Sequence, residues 1–328
     1  MKRGEFVAGF SVATGTLAIG RAAAAAPAAP WEVNVVAAES FYHAALYYAI
    51  DNKLFENNGI KIARLWEGLP GKDVITGFAS GSFDIAVTGV PPQGVFYGRG
   101  IPIKTVLFLG NSEQSQVIAL KPGIEKPADL KGKILAVSGV GSMSEVYCRL
   151  GLYFNGIDDH NDCTIKPMNQ QTMVQLAALK QLDAVALWPP YTTVIRHDHP
   201  DAKVVVNVVE AWKKHFNSTR GAPSHGLVIR QAALDAHHAQ CKAFAQALNA
   251  GVQAVKGKPE LIAQEISKYE KLEPEIILAS EREFPVEWSN GLDKADQDNA
   301  IRVWDLMHKF GYIDKPVGRD IFYDILNT

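Results

Sequence analysis

Several absences bound what this chain can be. Its 328 residues hold only three cysteines, Cys148, Cys163 and Cys241, too few for a disulfide framework and not at the C-x-x-C spacing of a metal or redox site. At most one pair can close, Cys148 with Cys163, and buried free thiols are the equal alternative. Charge of one sign is also missing. The 33 basic and 35 acidic residues leave a formal net charge of −2, with no basic block or stripe to hold nucleic acid or an anionic membrane surface. No H-E-x-x-H, G-x-S-x-G or P-loop run occurs, which removes the common signatures of metalloprotease, hydrolase and nucleotide chemistry. The expectation left is a small-molecule partner, with no catalytic residue, no cofactor and no metal.

The N-terminus carries the first positive signal. Lys2 and Arg3 precede a weakly apolar run, Phe6 to Ile19, and Ala22 to Ala29 is an Ala/Pro tract with several small-x-small cleavage positions. The run has only about 14 residues, against roughly 20 for a bilayer span, and Gly9, Ser11, Thr14, Gly15 and Thr16 break it. Residues 1–30 therefore read as a cleaved export signal, with a periplasmic protein starting around Trp31. Gly4 stands where a twin-arginine signal has its second arginine, so the Sec and Tat routes both stay open.

The remaining length, about 300 residues, suits two domains with well-buried cores. From Trp31 short β-branched runs alternate with amphipathic stretches, the pattern of a parallel sheet covered by helices. Strands are expected at Val33–Val36, Ile60–Arg64, Ile85–Val87 and Ile103–Leu109, with helices at Ala44–Asn57, Gly71–Ala79 and Pro92–Tyr97. Gly59 and Gly81 serve as helix stops. A second unit has strands at Ile134–Val137, Cys163–Lys166, Asp183–Leu187 and Lys203–Val206, and from Leu227 the chain is mostly helical. The fold class is α/β: lobe one at 31–117 and 226–328, lobe two at 118–225, joined by crossings near Ser115–Leu120 and His225–Arg230. Open α/β sheets bind ligands outside the carboxyl ends of their strands, and in a hinged pair those edges face each other.

The loops that follow the strands supply the candidate site. Phe41, Tyr42, Trp66, Trp188 and Tyr191 all fall directly after strands, where rings can sandwich a ligand or cap the core. Ser138-Gly139-Val140-Gly141-Ser142 sits between strand and helix, where free N–H groups and the helix dipole can hold an anion. Ser142 and Glu145 also form a capping box, and Glu145 then competes for that positive end. Thr88-Gly89 opens another strand-to-helix turn, but Pro91 and Pro92 remove donors from it. Glu39, Glu67 and Glu113 lie in these loops with no Lys or Arg beside them, an arrangement that suits an amine if the three are not simply solvated. His43 and His225 remain open between ligand contact and structural roles.

The order of pieces resembles the periplasmic substrate-binding proteins of the nitrate/sulfonate/taurine type, which serve ABC importers. Its carriers are Tyr42-His43-Ala44-Ala45-Leu46-Tyr47-Tyr48-Ala49, then Leu54-Phe55-Glu56-Asn57-Asn58-Gly59-Ile60, then Gly81-Ser82-Phe83-Asp84-Ile85-Ala86-Val87-Thr88-Gly89. They continue with Lys126-Pro127-Ala128-Asp129-Leu130-Lys131-Gly132-Lys133-Ile134 and Leu182-Asp183-Ala184-Val185-Ala186-Leu187-Trp188-Pro189-Pro190-Tyr191. The resemblance implies a type II periplasmic binding protein fold, a permease as partner and a monomer. By position it implies ligand contacts at Tyr42, His43, Trp66, Gly68, Thr88, Gly89, Ser112, Gly141, Ser142 and Trp188 to Tyr191, with Phe41, Glu67, Glu113 and Ser138 beside them.

Tyr42-His43 is more similar to the branch that binds thiamine-pyrimidine precursors, and Glu145 weakens an oxyanion pocket. The expected ligand is accordingly aromatic, amine-bearing or zwitterionic, such as an aminosulfonate; the alternative is a simple oxyanion. An alternative of another class is a fungal pyrimidine synthase of the same fold, which consumes its own lysine and histidine. That enzyme carries a cysteine-rich iron motif, which three dispersed cysteines do not supply.

Overall fold

In the computed structural model, which describes residues 29–37, 40–69, 71–111 and 115–328, the chain builds two mixed sheets and a helical C-terminal third. The expected export signal falls almost wholly outside the described residues, as do Glu39, Ser112 and Glu113. Among the described residues no helix is long and apolar enough to cross a membrane.

The strands in chain order are β1 (Trp31–Ala37), β2 (Ile60–Glu67), β3 (Ile85–Gly89), β4 (Ile103–Gly110), β5 (Gln116–Ala119) and β6 (Ile134–Val137). They continue as β7 (Thr164–Pro167), β8 (Ala184–Leu187), β9 (Lys203–Asn207), β10 (His225–Arg230) and β11 (Trp288–Gly291). The first sheet has the order β11-β4-β10-β3-β1-β2 and the second β7-β6-β8-β5-β9. Neither is purely parallel. β10 runs antiparallel between β3 and β4, and β5 runs antiparallel between β8 and β9. These two are the segments expected as crossings: Ser115–Leu120 contains a strand of the second sheet, and His225–Arg230 is a strand of the first. The passages between sheets are therefore the short link 111–115 and the longer stretch 208–224.

The helices are α1 (Ala44–Asp51), α2 (Gly71–Ser80), α3 (Val90–Gly98), α4 (Met143–Phe154), α5 (Gln170–Ala178), α6 (Tyr191–Asp198), α7 (Val208–Phe216) and α8 (Gln231–Ala236). Then follow α9 (His238–Val255), α10 (Pro259–Glu270), α11 (Pro274–Glu283) and α12 (Lys294–Lys309). The first ends earlier than its pattern suggested, because Lys53 turns left-handed at φ 56° and a 3-10 turn, Glu56–Asn58, follows before Gly59 at φ 71°. α7 continues a β-branched run in the sequence and so was hidden by it; its helix signal is Asn207, whose side chain accepts from the Glu210 amide.

Alternation along β1 divides the apolar core of lobe one. Val33, Val35 and Ala37 face one layer with α1 and α9, and Val36 faces the other with Phe96 and Trp304. α1 and α9 approach closely enough that a Cβ on Gly251 would lie 2.2 Å from the Ala45 carbonyl oxygen. In lobe two Val137, Ala184 and Ala186 face one layer, which includes Cys148 and Cys163, and Ala136 and Val185 face the other. Cys148, Cys163 and Cys241 are buried free thiols.

Candidate functional site

Strand register fixes which residues line the carboxyl edge of the first sheet. Ala37 stands beside Glu67 and Val87, Gly89 beside His225, and Gly110 beside Trp288. In the second sheet Leu187 and Asn207 flank Gln116, and Val137 pairs with Pro167. β4 ends at Gly110 and β5 begins at Gln116, so the carboxyl edge of the first sheet is joined in sequence to that of the second. Contacts cross between the lobes as well. A Cβ on Gly89 would come within 2.7 Å of the Met143 sulfur, and Thr193 of α6 donates to Ser280 of α11 at 2.9 Å. Arg196 pairs with Glu283 beside it.

Phe41, Tyr42 and His43 form a 3-10 turn capped by Ser40 and are all buried. Phe41 belongs to the apolar core. Tyr42 packs at 5.1 Å from the His225 ring and 5.4 Å from Trp288, over Gly110, where a Cβ would meet its ring at 2.0 Å. The His43 Nε2 lies 3.1 Å from the Val87 carbonyl oxygen. A carbonyl can only accept, so Nε2 carries the proton and Nδ1 is a bare acceptor when the ring is neutral. Burial holds it neutral by pulling its pKa down to about 4. His225 is lowered well below its ordinary value by burial and then by His43.

Trp66 is half-buried, with the Arg64 guanidinium 3.4 Å from its ring centroid and Phe83 at 5.7 Å. Glu67 is exposed and accepts from the Tyr47 hydroxyl. Gly68 supplies a left-handed turn at φ 62°. The Thr88 carbonyl accepts from Gln93 at 3.2 Å. Trp188 and Tyr191 are half-buried where α6 begins and meet edge to face at 5.7 Å.

The Ser138 to Ser142 turn is occupied by the chain itself. Glu145 Oε2 accepts from the Gly141 amide at 2.6 Å, and its Oε1 accepts from Arg149 Nε and Nη2 at 3.1 and 2.9 Å. Ser142 caps the Glu145 amide at 3.2 Å, and Ser138 bonds to Ser142 and Ser144. The seat that an anion would take at the start of α4 thus holds a carboxylate already neutralised by Arg149.

Buried polar atoms with no hydrogen-bond partner among the described residues mark the rest of the site. They include His43 Nδ1, Asn111 Oδ1, Gln116 Oε1, Thr192 Oγ1 and Glu281 Oε2, together with the indole nitrogens of Trp66 and Trp288. Each belongs to a residue on one of the two facing edges or on the α6–α11 junction that bridges them. Gln116, Thr192, Glu281 and Trp288 escape sequence reasoning. The first sits in a strand read as a crossing, Thr192 and Glu281 lie within helices, and Trp288 opens β11, none of them in a motif. A surface depression of about 230 Å³, lined by Phe55, Ile62, Leu65 and Tyr269 among others, lies on the flank of β2 and includes none of these unpartnered residues.

Residues 40–262 match the family model described as NMT1/THI5 like. Over 207 residues the chain is 25% identical to the taurine-binding periplasmic protein of Escherichia coli K12, a match that covers 62% of this chain and 60% of that one. The alkanesulfonate-binding protein SsuA of Xanthomonas axonopodis pv. citri, solved with MOPS, superposes with a TM-score of 0.75 at 18% identity, covering 90% of this chain and 99% of that one. The periplasmic nitrate-binding protein NrtA of Synechocystis PCC 6803 superposes at 0.71 with 15% identity, over 89% and 84%. With the family model spanning well over half of the sequence and both lobes in place, the chain belongs to the NMT1/THI5-like family and has the type II periplasmic binding protein fold.

Proposed function

We propose that the protein is the solute-binding component of an ABC importer. It is exported to the periplasm, closes its two lobes over a small organic solute that brings N–H donors, and delivers that solute to a membrane permease without chemistry of its own. The observation that carries this reading is the set of buried polar atoms along the facing edges. Buried polar groups are normally paired, and here His43 Nδ1 and Glu281 Oε2 are acceptors without a donor among the described residues, as are Asn111 Oδ1 and Gln116 Oε1, with Thr192 Oγ1 also unpartnered. A ligand that supplies donors satisfies them. The filled seat at Gly141 supports an amine-bearing or zwitterionic solute over a bare oxyanion. Trp188 and Tyr191 are the rings best placed to cover it from lobe two.

A thermal-shift screen tests the proposal, because a solute that binds only the folded form raises the melting temperature. Amines, guanidines, aminosulfonates and pyrimidines are expected to raise it, and nitrate and unsubstituted alkanesulfonates to leave it unchanged. No shift with any solute class would sink the solute-binding reading.

A further inference from the structure

Glu281 is an unusual carboxylate for a lobe junction. The residue is only 6% exposed, yet one of its oxygens alone is engaged: Oε1 accepts from the Val286 amide at 3.1 Å. The other, Oε2, has no partner among the described residues. On one side its helix touches lobe two, since Ser280 accepts from Thr193 and the adjoining Thr192 is buried with an unpartnered hydroxyl. On the other side Val286 leads to Trp288, paired with Gly110 on the carboxyl edge, and the Asn111 amide bonds to Glu287 at 3.1 Å. Glu281 therefore sits where lobe one, Asn111 and α6 come together.

Among the described residues no cation pairs with it. The basic groups of α6, α10 and α11 are paired elsewhere: Arg196 of α6 with Glu283, His197 with Asp198, Arg282 of α11 with Glu260 of α10, and Lys268 of α10 with Asp51 and Glu265. Glu287 in the following loop pairs with Lys213, and Glu270 accepts from the Ser40 amide. A carboxylate removed from water without a counter-ion is unfavourable, and a cation brought to it recovers that cost. We infer that Glu281 is the residue that selects the solute, by pairing its free carboxylate oxygen with a protonated amine held at the lobe junction. This rests on the solute-binding reading and narrows it to ammonium-bearing solutes. Glu67, one of the three glutamates singled out in the sequence for this task, is exposed and already bonded to Tyr47.

Calorimetric titration of the protein with two matched pairs tests the inference: taurine against ethanesulfonate, and benzylamine against benzyl alcohol. Burial raises the Glu281 pKa to about 7, so near pH 7 an ammonium that forces ionisation displaces about half a proton. Buffers of different ionisation heat measure that proton directly. At least one amine is expected to bind with proton release and its amine-free counterpart not to bind. Glu281→Gln is expected to lose at least about tenfold in affinity and all of the release. Equal binding by E281Q, or binding without proton release by the wild type, would overturn the inference and leave the solute-binding reading intact. Failure of both amines to bind while other solutes shift the melting temperature would do the same. Should E281Q not fold, proton release by the wild type decides alone.

Discussion

Gly110 offers a test of how the site is built, because its missing side chain makes room for a ring that forms the edge. A Cβ there would lie 2.0, 2.1 and 2.4 Å from Cε1, Cζ and the hydroxyl of Tyr42, distances that no small adjustment relieves. Gly110 itself is buried in β4 and its strand is paired on both sides, so the ring is the part that must move. Overpacking of this kind costs about 1–3 kcal/mol. Displacing Tyr42 also sacrifices its contacts with His225 and Trp288, each worth about 0.5–1.5 kcal/mol. Gly110→Ala is therefore expected to destabilise lobe one by about 2–6 kcal/mol, and to weaken solute binding because Tyr42 leaves the edge. Urea unfolding followed by circular dichroism measures the first effect as a lower midpoint with an unchanged slope. The same substitution in a Tyr42→Ala background removes the clash and is expected to cost less than about 0.5 kcal/mol. Equal cost in both backgrounds, or a Gly110→Ala protein as stable as its parent, would refute the ring-over-glycine account.

Other perturbations separate parts of the same picture. Glu281 has a folded-state pKa raised to about 7 from 4.5, so the unliganded protein loses stability as pH rises through that window, by about 3 kcal/mol; E281Q should be flat there and more stable than wild type at pH 8, and a parallel pH profile for the two would contradict the burial argument. The Cys163 thiol is pushed up to about 11 by burial, Cys148 is raised by the same cause, and all three cysteines are buried. Iodoacetamide at pH 8 should modify none of them before unfolding, and fast labelling of the native protein would show a more open lobe two. Glu145→Ala vacates the Gly141 amide and part of Arg149, so this variant should acquire ethanesulfonate binding that the wild type lacks; a folded variant still blind to ethanesulfonate would discount the filled seat. Trp188→Ala should weaken solute binding by about 1 kcal/mol or more through the lost ring contact, and unchanged affinity by calorimetry would remove Trp188 from the site.

Much of the scaffold is legible in the sequence because it rests on local rules. β-branched runs place β1 to β4, Gly59 and Gly81 end their segments in left-handed turns at φ 71° and 79°, and S-x-x-E at Ser142 and Glu145 places both the start of α4 and the carboxylate in its anion seat. What local rules do not carry is strand partnership. Val117 and Val228 have the same extended apolar character as any bridging segment, and only the sheets reveal that β5 and β10 are interior antiparallel strands. The candidate site divides in the same way. Tyr42, His43 and Trp188 follow strands and can be found by counting, while Trp66 stands inside β2, which runs past the expected end at Arg64 to Glu67; their environments depend on distant residues, Tyr42 on Gly110 and Trp288, His43 on Val87. Glu281 lies on a helix far along the chain, in a pattern that reads as a solvated face. Its burial arises only when α11 meets α6 and the 284–287 turn folds back on it.

The central claim is that a solute is held between the two carboxyl edges. Hydrogen exchange with and without the compound that gives the largest thermal shift tests it most directly, since amides slowed by binding report the contact surface. The account predicts slowed exchange in both lobes at once, over residues 41–43 and 88–95 in lobe one, 138–146 and 187–195 in lobe two, and 280–288 at the junction. Protection confined to one lobe, or centred on the depression beside β2, would contradict it.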